Sequence, residues 1–478
     1  MSRPWVIASG HEVTSNAGGE VLRAGGNAYD ALVAAYLTAC TAEPAMASMG
    51  AGALIMHQST GSKVMFTDAF CQTPAHKANG RSTIPVTVSW DSVDEIYHTG
   101  AASVAVPGVM KGIWKLHSRH GHMSWRECCM LASDIARDGV ALNGFQHLDI
   151  NLLRDIFAQA KDLATAVLDD DLKVKSIGSL IRIPHQAETI EVVAHEGVDI
   201  LYKGEIAQAI SEVISDQGHL NLSDLQSYKS VDTAPLSFTW RDRTIYSPDH
   251  PSLGGYILAA LLHGIGSQDQ LIESIEKVRA CGTDLSALSK LSRLSSRASH
   301  QTIAGGTSHM SIADAMGNHI CMSFSLGEGS GVVVPGTGIH LNNMLGEPSL
   351  LPDGIDSWIT GSRLRSMMTP IIAVRGDHAL LAGTGGADRI PHVLAQFLLH
   401  YQATDHLEEA IRAPRCNLAH GTFHTEPGWS AVVPRSVTHN PWKKRNMYFG
   451  GVHAVAVDND HATGAADARR EGYILRGQ

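Results

Sequence analysis

Positive charge is in short supply in this chain: 37 Lys and Arg stand against 47 Asp and Glu in 478 residues, for a net charge of −10. The charges form no long run, and a nucleic-acid partner, whose binding footprint is basic, is excluded. Long apolar runs are missing as well. No stretch approaches the roughly 18 residues of a spanning helix, so no membrane partner is expected. The opening residues, "MSRPWVIASGHEVTSNAGG", lack the apolar core of about 7–15 residues that a secretory signal carries, and a cytoplasmic location is the expectation. The seven cysteines (Cys40, Cys71, Cys128, Cys129, Cys281, Cys321 and Cys416) are odd in number, scattered and without CxxC spacing. They fit a reducing compartment better than a disulfide framework. The 26 histidines include no HExxH and no paired-His helix pattern, so no metal and no cofactor are expected.

What is present is a large store of apolar and small residues, 44% hydrophobic with 46 glycines. That is enough for a sizeable core with many tight turns. "GEVLRAGGNAYDALVAAYLTACTA" reads as a helix stopped at Gly25-Gly26 and a second helix starting near Asn27 to Asp30. Ala53 to Met56 and "KVMFTDAF" read as strands, and Val104 to Gly204 mostly as helices, with Pro107 suited to a helix start. Asp269 to His300 is polar and serine-rich, a helix followed by a flexible linker. Strand patterns return from Ser308 to about Val334 and in "MTPIIAVRGDHALLAGTGG", before a helix with Val393, Leu394, Phe397, Leu398 and Tyr401 on its apolar side. No internal repeat occurs. The order of helices and strands predicts layered α/β packing rather than a doubly wound parallel sheet.

Thr307 stands where flexible backbone, "IAGG", meets a strand, "TSHMSIA". Threonine is a weak nucleophile until a base takes its proton, and a free α-amine on the same residue serves as that base. Such an amine titrates at about pH 7.7–8, close to the optimum for proton transfer. An internal Thr gains it only by cutting the bond ahead of it. Gly306, without a Cβ, leaves its carbonyl open to attack. The string alone favours the plainer reading, a loop at Gly305-Gly306 and a strand-start Thr307.

Further segments bear on that choice: "VLRAGGNAYDALVA", "EPAMASMGAGAL", "VAVPGVMKGI", "LYKGEIAQAI", "LSDLQSYKSVDTAPL" and "YSPDHPSLGGYIL". They are followed by "TSHMSIADAMGNHICMSFSLGEGSGVVVPGTGIHLNN", "MMTPIIAV", "GTGGADR" and "GAADARREGYI". In this order, nearly end to end, the chain resembles the γ-glutamyltranspeptidase family of N-terminal-nucleophile hydrolases. The resemblance implies an α+β, four-layer α/β/β/α sandwich. It implies self-cleavage between Gly306 and Thr307 into residues 1–306 and 307–478, which remain paired as a heterodimer, with a higher homo-oligomer also open. Thr307 is then the nucleophile, Ser325 its hydroxyl partner, and the N–H groups of Gly386 and Ala387 the oxyanion hole. Two backbone donors in a glycine turn suit that task. "GTGG" completes neither GxGxxG nor a Lys-Ser/Thr phosphate loop.

Several positions depart from the family. Where it has an arginine for the substrate α-carboxylate, "TDAFCQTP" has Phe70, which removes a bidentate clamp. Where it binds the α-amine, "NNMLGEP" offers Met344 and Glu347, and its serine pair becomes Ser366-Met367. Arg363, Arg365 and Arg389 stand as candidate replacements for the missing arginine, although each reads more readily as a surface residue. His309, two residues on from Thr307, falls on the same strand face, where it orients the amine or makes a structural hydrogen bond. Asn342 and Asn343 line the pocket or cap a turn. The expected function is hydrolysis or transfer of an acyl amide other than glutathione, in an intracellular catabolic or specialised biosynthetic route. The alternatives are γ-glutamyl hydrolysis or transpeptidation, carbon–carbon hydrolysis beside an activated carbonyl, and a non-catalytic scaffold.

Overall fold

Alternate residues of the central strands go to different apolar clusters. Ile7, Ile55, Met310 and Ile312 pack into one cluster, whereas Val6, Ala8, Leu54, Met56 and Ala313 pack into another. Successive side chains of a strand point to opposite faces, so these strands are covered on both sides. The computed structural model describes residues 4–90, 93–263, 268–281, 285–292, 306–347, 350–351, 354–419, 421–433, 437–459 and 461–477.

Two antiparallel sheets form the centre. In the first, seven strands run in the order Tyr473–Gly477, Trp5–Ser9, Ser308–Ala313, His319–Ser325, Gly52–Gln58, Met65–Ala69 and Val231–Thr233. In the second, six strands run in the order Ala462–Ala466, Gly451–Val457, His378–Gly385, Ile371–Arg375, Arg243–Ser247 and Leu236–Trp240. The sheets meet closely: the Cys321 thiol donates to Ile371 O and Ala382 O, both at 3.3 Å. A Cβ on Gly383 would lie 2.2 Å from His309 Nδ1, so glycine is required for that approach.

Helices cover the outer faces. Glu12–Arg23, Ala28–Ala42 and Val109–His120 lie on the seven-stranded sheet, with Trp125–Asp138 and Gln186–Glu196 beyond them. Tyr36 meets Phe324 edge-on, ring centres 5.1 Å apart. Gly254–Leu262 and Ile390–Thr404 cover the six-stranded sheet. The whole is the expected α+β, four-layer α/β/β/α sandwich.

The helix break at Gly25-Gly26 lies as expected. Asn27 caps the second helix, its side chain accepting from Tyr29 N at 2.8 Å and Asp30 N at 3.1 Å while Asp30 Oδ2 accepts from Asn27 N at 2.8 Å. Pro107 differs from expectation: Gly108 is the cap of Val109–His120, and the proline stands one residue outside it. The serine-rich segment contains helices Gln268–Cys281 and Leu285–Ser292, while its expected flexible end lies outside the described residues, as does Gly305. The hairpin of Ile84–Trp90 with Val93–Thr99 has no counterpart in the expected elements.

Candidate active site

The register that pairs Ser308 with Phe324 and His309 with Ser323 brings the Thr307 and Ser325 ends of two neighbouring strands together. Odd-numbered residues of Ser308–Ala313 face the second sheet, where His309 meets Gly383, and Thr307 continues that row at 3% exposure. Ser308 points the other way and donates to Glu43 Oε2 at 2.5 Å, while Thr14 donates to Glu43 Oε1 at 3.0 Å. Burial pushes the Glu43 carboxyl up to about 7, against the lowering effect of those two hydroxyls.

The peptide at Thr307 is held from several directions. The Ser325 hydroxyl donates to the Gly306 carbonyl and accepts from Gly327 N at 3.0 Å. Arg470 Nη1 donates to the Thr307 carbonyl at 2.7 Å. A Cβ on Gly385 would lie 1.9 Å from that carbonyl oxygen, so the second sheet reaches Thr307 only through glycine. Strand His378–Gly385 then runs into the turn at Gly386, φ 123°, and Ala387, φ 57°. For alanine that left-handed backbone costs about 1–2 kcal/mol, and such strain gathers at functional turns.

Thr307, Ser325 and Ala387 line one cavity together with Phe70, Met344, Ser366 and Met367, and Leu350, Met368 and Ile390 complete it. Its volume is about 20 Å³, close to what one water needs. Gly386 adjoins it through Ala387. Four residues expected at the site, His309, Asn342, Asn343 and Glu347, do not line it. His309 is buried, with Nδ1 on Ser323 Oγ at 2.9 Å and Nε2 on Ser311 Oγ at 3.0 Å. Burial, with His453 nearby, holds it well below the ordinary histidine range. Both ring nitrogens are taken up by hydroxyls of its own sheet, the structural hydrogen bonding that was one of its two readings. Asn343 donates to His98 O at 3.2 Å and accepts from Glu328 N at 2.9 Å. Asn342 likewise ties loops together, donating to Gly50 O and Ala105 O, each at 2.9 Å. Glu347 is fully buried beside Asn343, yet neither of its oxygens makes a hydrogen bond of ordinary length.

The candidate arginines are placed elsewhere. Arg363 Nε pairs with Asp68 Oδ2 at 3.1 Å, Nη1 donates to Phe70 O and Nη2 to Lys229 O, both at 2.7 Å. Its guanidinium also stacks 4.5 Å from the Tyr228 ring centre. Arg389 lies over Tyr448 at 4.4 Å. Neither these nor Arg365 lines the cavity, and no residue that does is cationic. A larger open cleft of about 850 Å³ beside His400, Asp405 and Arg412 contains none of the Thr307 constellation.

Glu43, Arg470, Glu328 and Asp149 surround this region without having been singled out from sequence. Glu43, Glu328 and Arg470 do fall inside segments that carry the family resemblance, and an acid or arginine among small residues was the available signal. For metals, one group of potential ligand atoms occurs among the described residues: Asp30, His117 and Cys128 lie within 4.8 Å of one another. Asp30 is occupied there by His122 N at 3.0 Å, Asn27 N at 2.8 Å and His117 Nε2 at 3.2 Å. Burial also pushes the Cys128 thiol up to about 12, against the thiolate that a metal requires. Among the described residues no helix is long and apolar enough to cross a membrane.

A sequence model of the Gamma-glutamyltranspeptidase family matches residues 14–278 and 267–476. The chain belongs to this family. Among its relatives are a glutathione hydrolase proenzyme of Pseudomonas aeruginosa, 27% identical over 98% of this chain and 94% of the relative, and an acylase ACY 1 proenzyme of Pseudomonas sp. strain SE83, 27% identical over 98% and 92%. The crystal structure of a cephalosporin acylase from Bacillus halodurans superposes with a TM-score of 0.82 over 99% of this chain and 96% of that one, at 19% identity, a likeness of fold. The chain is an enzyme of the N-terminal-nucleophile hydrolase class, related to glutathione hydrolases and to acylases. The scaffold alternative is set aside by that membership.

Proposed function

We propose that this γ-glutamyltranspeptidase-family chain cuts itself before Thr307 and then hydrolyses, or transfers, an acyl group that has an apolar body and no α-carboxylate. In the proposed mechanism the freed α-amine takes the proton of Thr307 Oγ, which attacks the substrate carbonyl. Ser325 orients the hydroxyl. The N–H groups of Gly386 and Ala387 receive the developing oxyanion, a contribution of several kcal/mol for such donors. Water or an amine then releases the acyl group. The proenzyme names of the two Pseudomonas relatives are consistent with self-cleavage. So is the small volume beside Thr307, because a substrate fits only once the peptide ahead of Thr307 has moved away.

The observation that carries the substrate reading is the wall of Phe70, Met344 and Met367, with Arg363 fully engaged by Asp68, Phe70 O and Lys229 O. A carboxylate placed there meets no guanidinium, and each buried polar group left unpaired costs about 1–3 kcal/mol. The relatives' names favour the alternative of γ-glutamyl hydrolysis or transfer, since glutathione hydrolases are more frequent among them than acylases. Paired 4-nitroanilides discriminate the two readings. We expect kcat/KM for butyryl and phenylacetyl anilides to exceed that for the γ-glutamyl anilide by at least about tenfold, the equivalent of one such unpaired group. Faster glutamyl turnover would replace this reading by the alternative.

A further inference from the structure

The peptide ahead of Thr307 has a second holder that the proposed chemistry does not use. Glu328 is buried at 3% exposure, and its carboxyl accepts the Gly306 backbone N–H. A Cβ on Gly306 would lie 3.0 Å from Glu328 Oε2 and 2.8 Å from Gly327 O, so the carboxyl lies against the Gly306 α-carbon. Glu328 is itself fixed by its own N–H on Asn343 Oδ1 at 2.9 Å. Around it stand Glu347, Asp149 and Glu95 as acids, Tyr97, and the cation Arg470, with Arg389 close enough to act on Glu95, Tyr97 and Arg470.

We infer that Glu328 is a positioning residue for self-cleavage: it grips the Gly306 N–H while Ser325 grips the Gly306 carbonyl and Arg470 the Thr307 carbonyl. The inference rests on the reading that Thr307 cuts the chain. In the first step the Thr307 Oγ–carbonyl bond forms, the carbonyl–nitrogen bond breaks, and the hydroxyl proton passes to the Thr307 nitrogen, leaving an ester. Water then adds to the ester carbonyl, the Oγ–carbonyl bond breaks, and Oγ regains a proton. The products are a Gly306 carboxyl group and the free Thr307 amine. Negative charge develops on the Gly306 carbonyl oxygen in both steps. An ionised Glu328 beside it would oppose that charge in a site of low dielectric, so the grip works with the carboxyl neutral. Burial first, then Glu347, Asp149 and Glu95, holds Glu328 well above the ordinary carboxylate range, and Glu347 is raised likewise. The two titrate as a pair.

The test follows fragment formation on a denaturing gel after cell-free synthesis of the full chain, from pH 6 to pH 9. Glu328→Gln keeps the acceptor and can never ionise. We expect it to match the parent at pH 6 and to cut at least about tenfold faster than the parent at pH 9. Glu328→Ala loses the grip and should cut at least about tenfold more slowly at both pH values. Glu347→Gln removes a neighbouring negative charge, so Glu328 ionises more readily and the alkaline fall in rate should begin at lower pH. Identical profiles for the parent and Glu328→Gln, or parental rates for Glu328→Ala, would overturn the inference. Failure of the underlying reading looks different: an uncut parent, or cutting that persists in Thr307→Ala.

Discussion

Behind Thr307, Glu43 receives the hydroxyls of Ser308 and Thr14 with almost no exposure to solvent. Its carboxyl is pushed from an ordinary 4.5 up to about 7 by burial. The folded chain therefore holds this proton to higher pH than the unfolded chain does. By linkage, the contribution to stability is full below about pH 4.5, declines as pH rises, and levels off beyond about pH 7. Glu43→Gln removes that decline. Thermal unfolding should show the variant gaining on the parent by about 2–3 kcal/mol between pH 5 and pH 8, whereas a constant gap would mean that Glu43 is already ionised at pH 5. At the same scale, Phe70 and Met344 were recognisable as departures from the family because each fills a position in a matched segment. Asp149, Glu328 and Arg470 around Gly306 were not, since they are far apart in the chain and converge only in the folded molecule.

Elements show the same division between local and convergent signals. The helix pair around Gly25-Gly26 was legible because Asn27 and Asp30 stand at capping-box spacing, and the structure contains both reciprocal bonds. Asn27 also donates to His120 O at 2.6 Å, joining its helix to the end of Val109–His120. Asn27→Ala should cost about 1–2 kcal/mol in chemical denaturation. A loss below about 0.3 kcal/mol would place the start of that helix under the control of packing instead. The strand pattern that follows Thr307 was legible from its period. For His309 two readings stayed open because strand parity gives the face of a side chain and not its partner: it faces the second sheet at Gly383, while Ser323 and Ser311 of its own sheet take up the ring nitrogens. Pro107 was read as a helix start because proline favours that position in general, yet Gly108 takes the cap.

For the whole molecule, the proposed scission between residues 306 and 307 would not separate two domains. Strand Ser308–Ala313 lies between Trp5–Ser9 and His319–Ser325, and both sheets draw strands from either side of the cut. Fragments 1–306 and 307–478 would therefore share one core and both sheets of the sandwich. They should elute together in native size-exclusion chromatography on dilution to nanomolar concentration and part only in denaturant. Separation under native conditions would contradict a shared core. Layered α/β packing was legible from the order of helix and strand patterns and the four-layer order from the family resemblance, whereas the seating of one sheet on the other depends on single atoms, such as the absent Cβ at Gly383 and Gly385.

Intact-mass analysis of the purified protein under denaturing conditions tests the central claim most directly. The account predicts two polypeptides, residues 1–306 and a partner beginning with a free amino group at Thr307, and one uncut chain for Thr307→Ala. A parent protein that turns over an acyl amide while remaining continuous from residue 306 to residue 307 would contradict it.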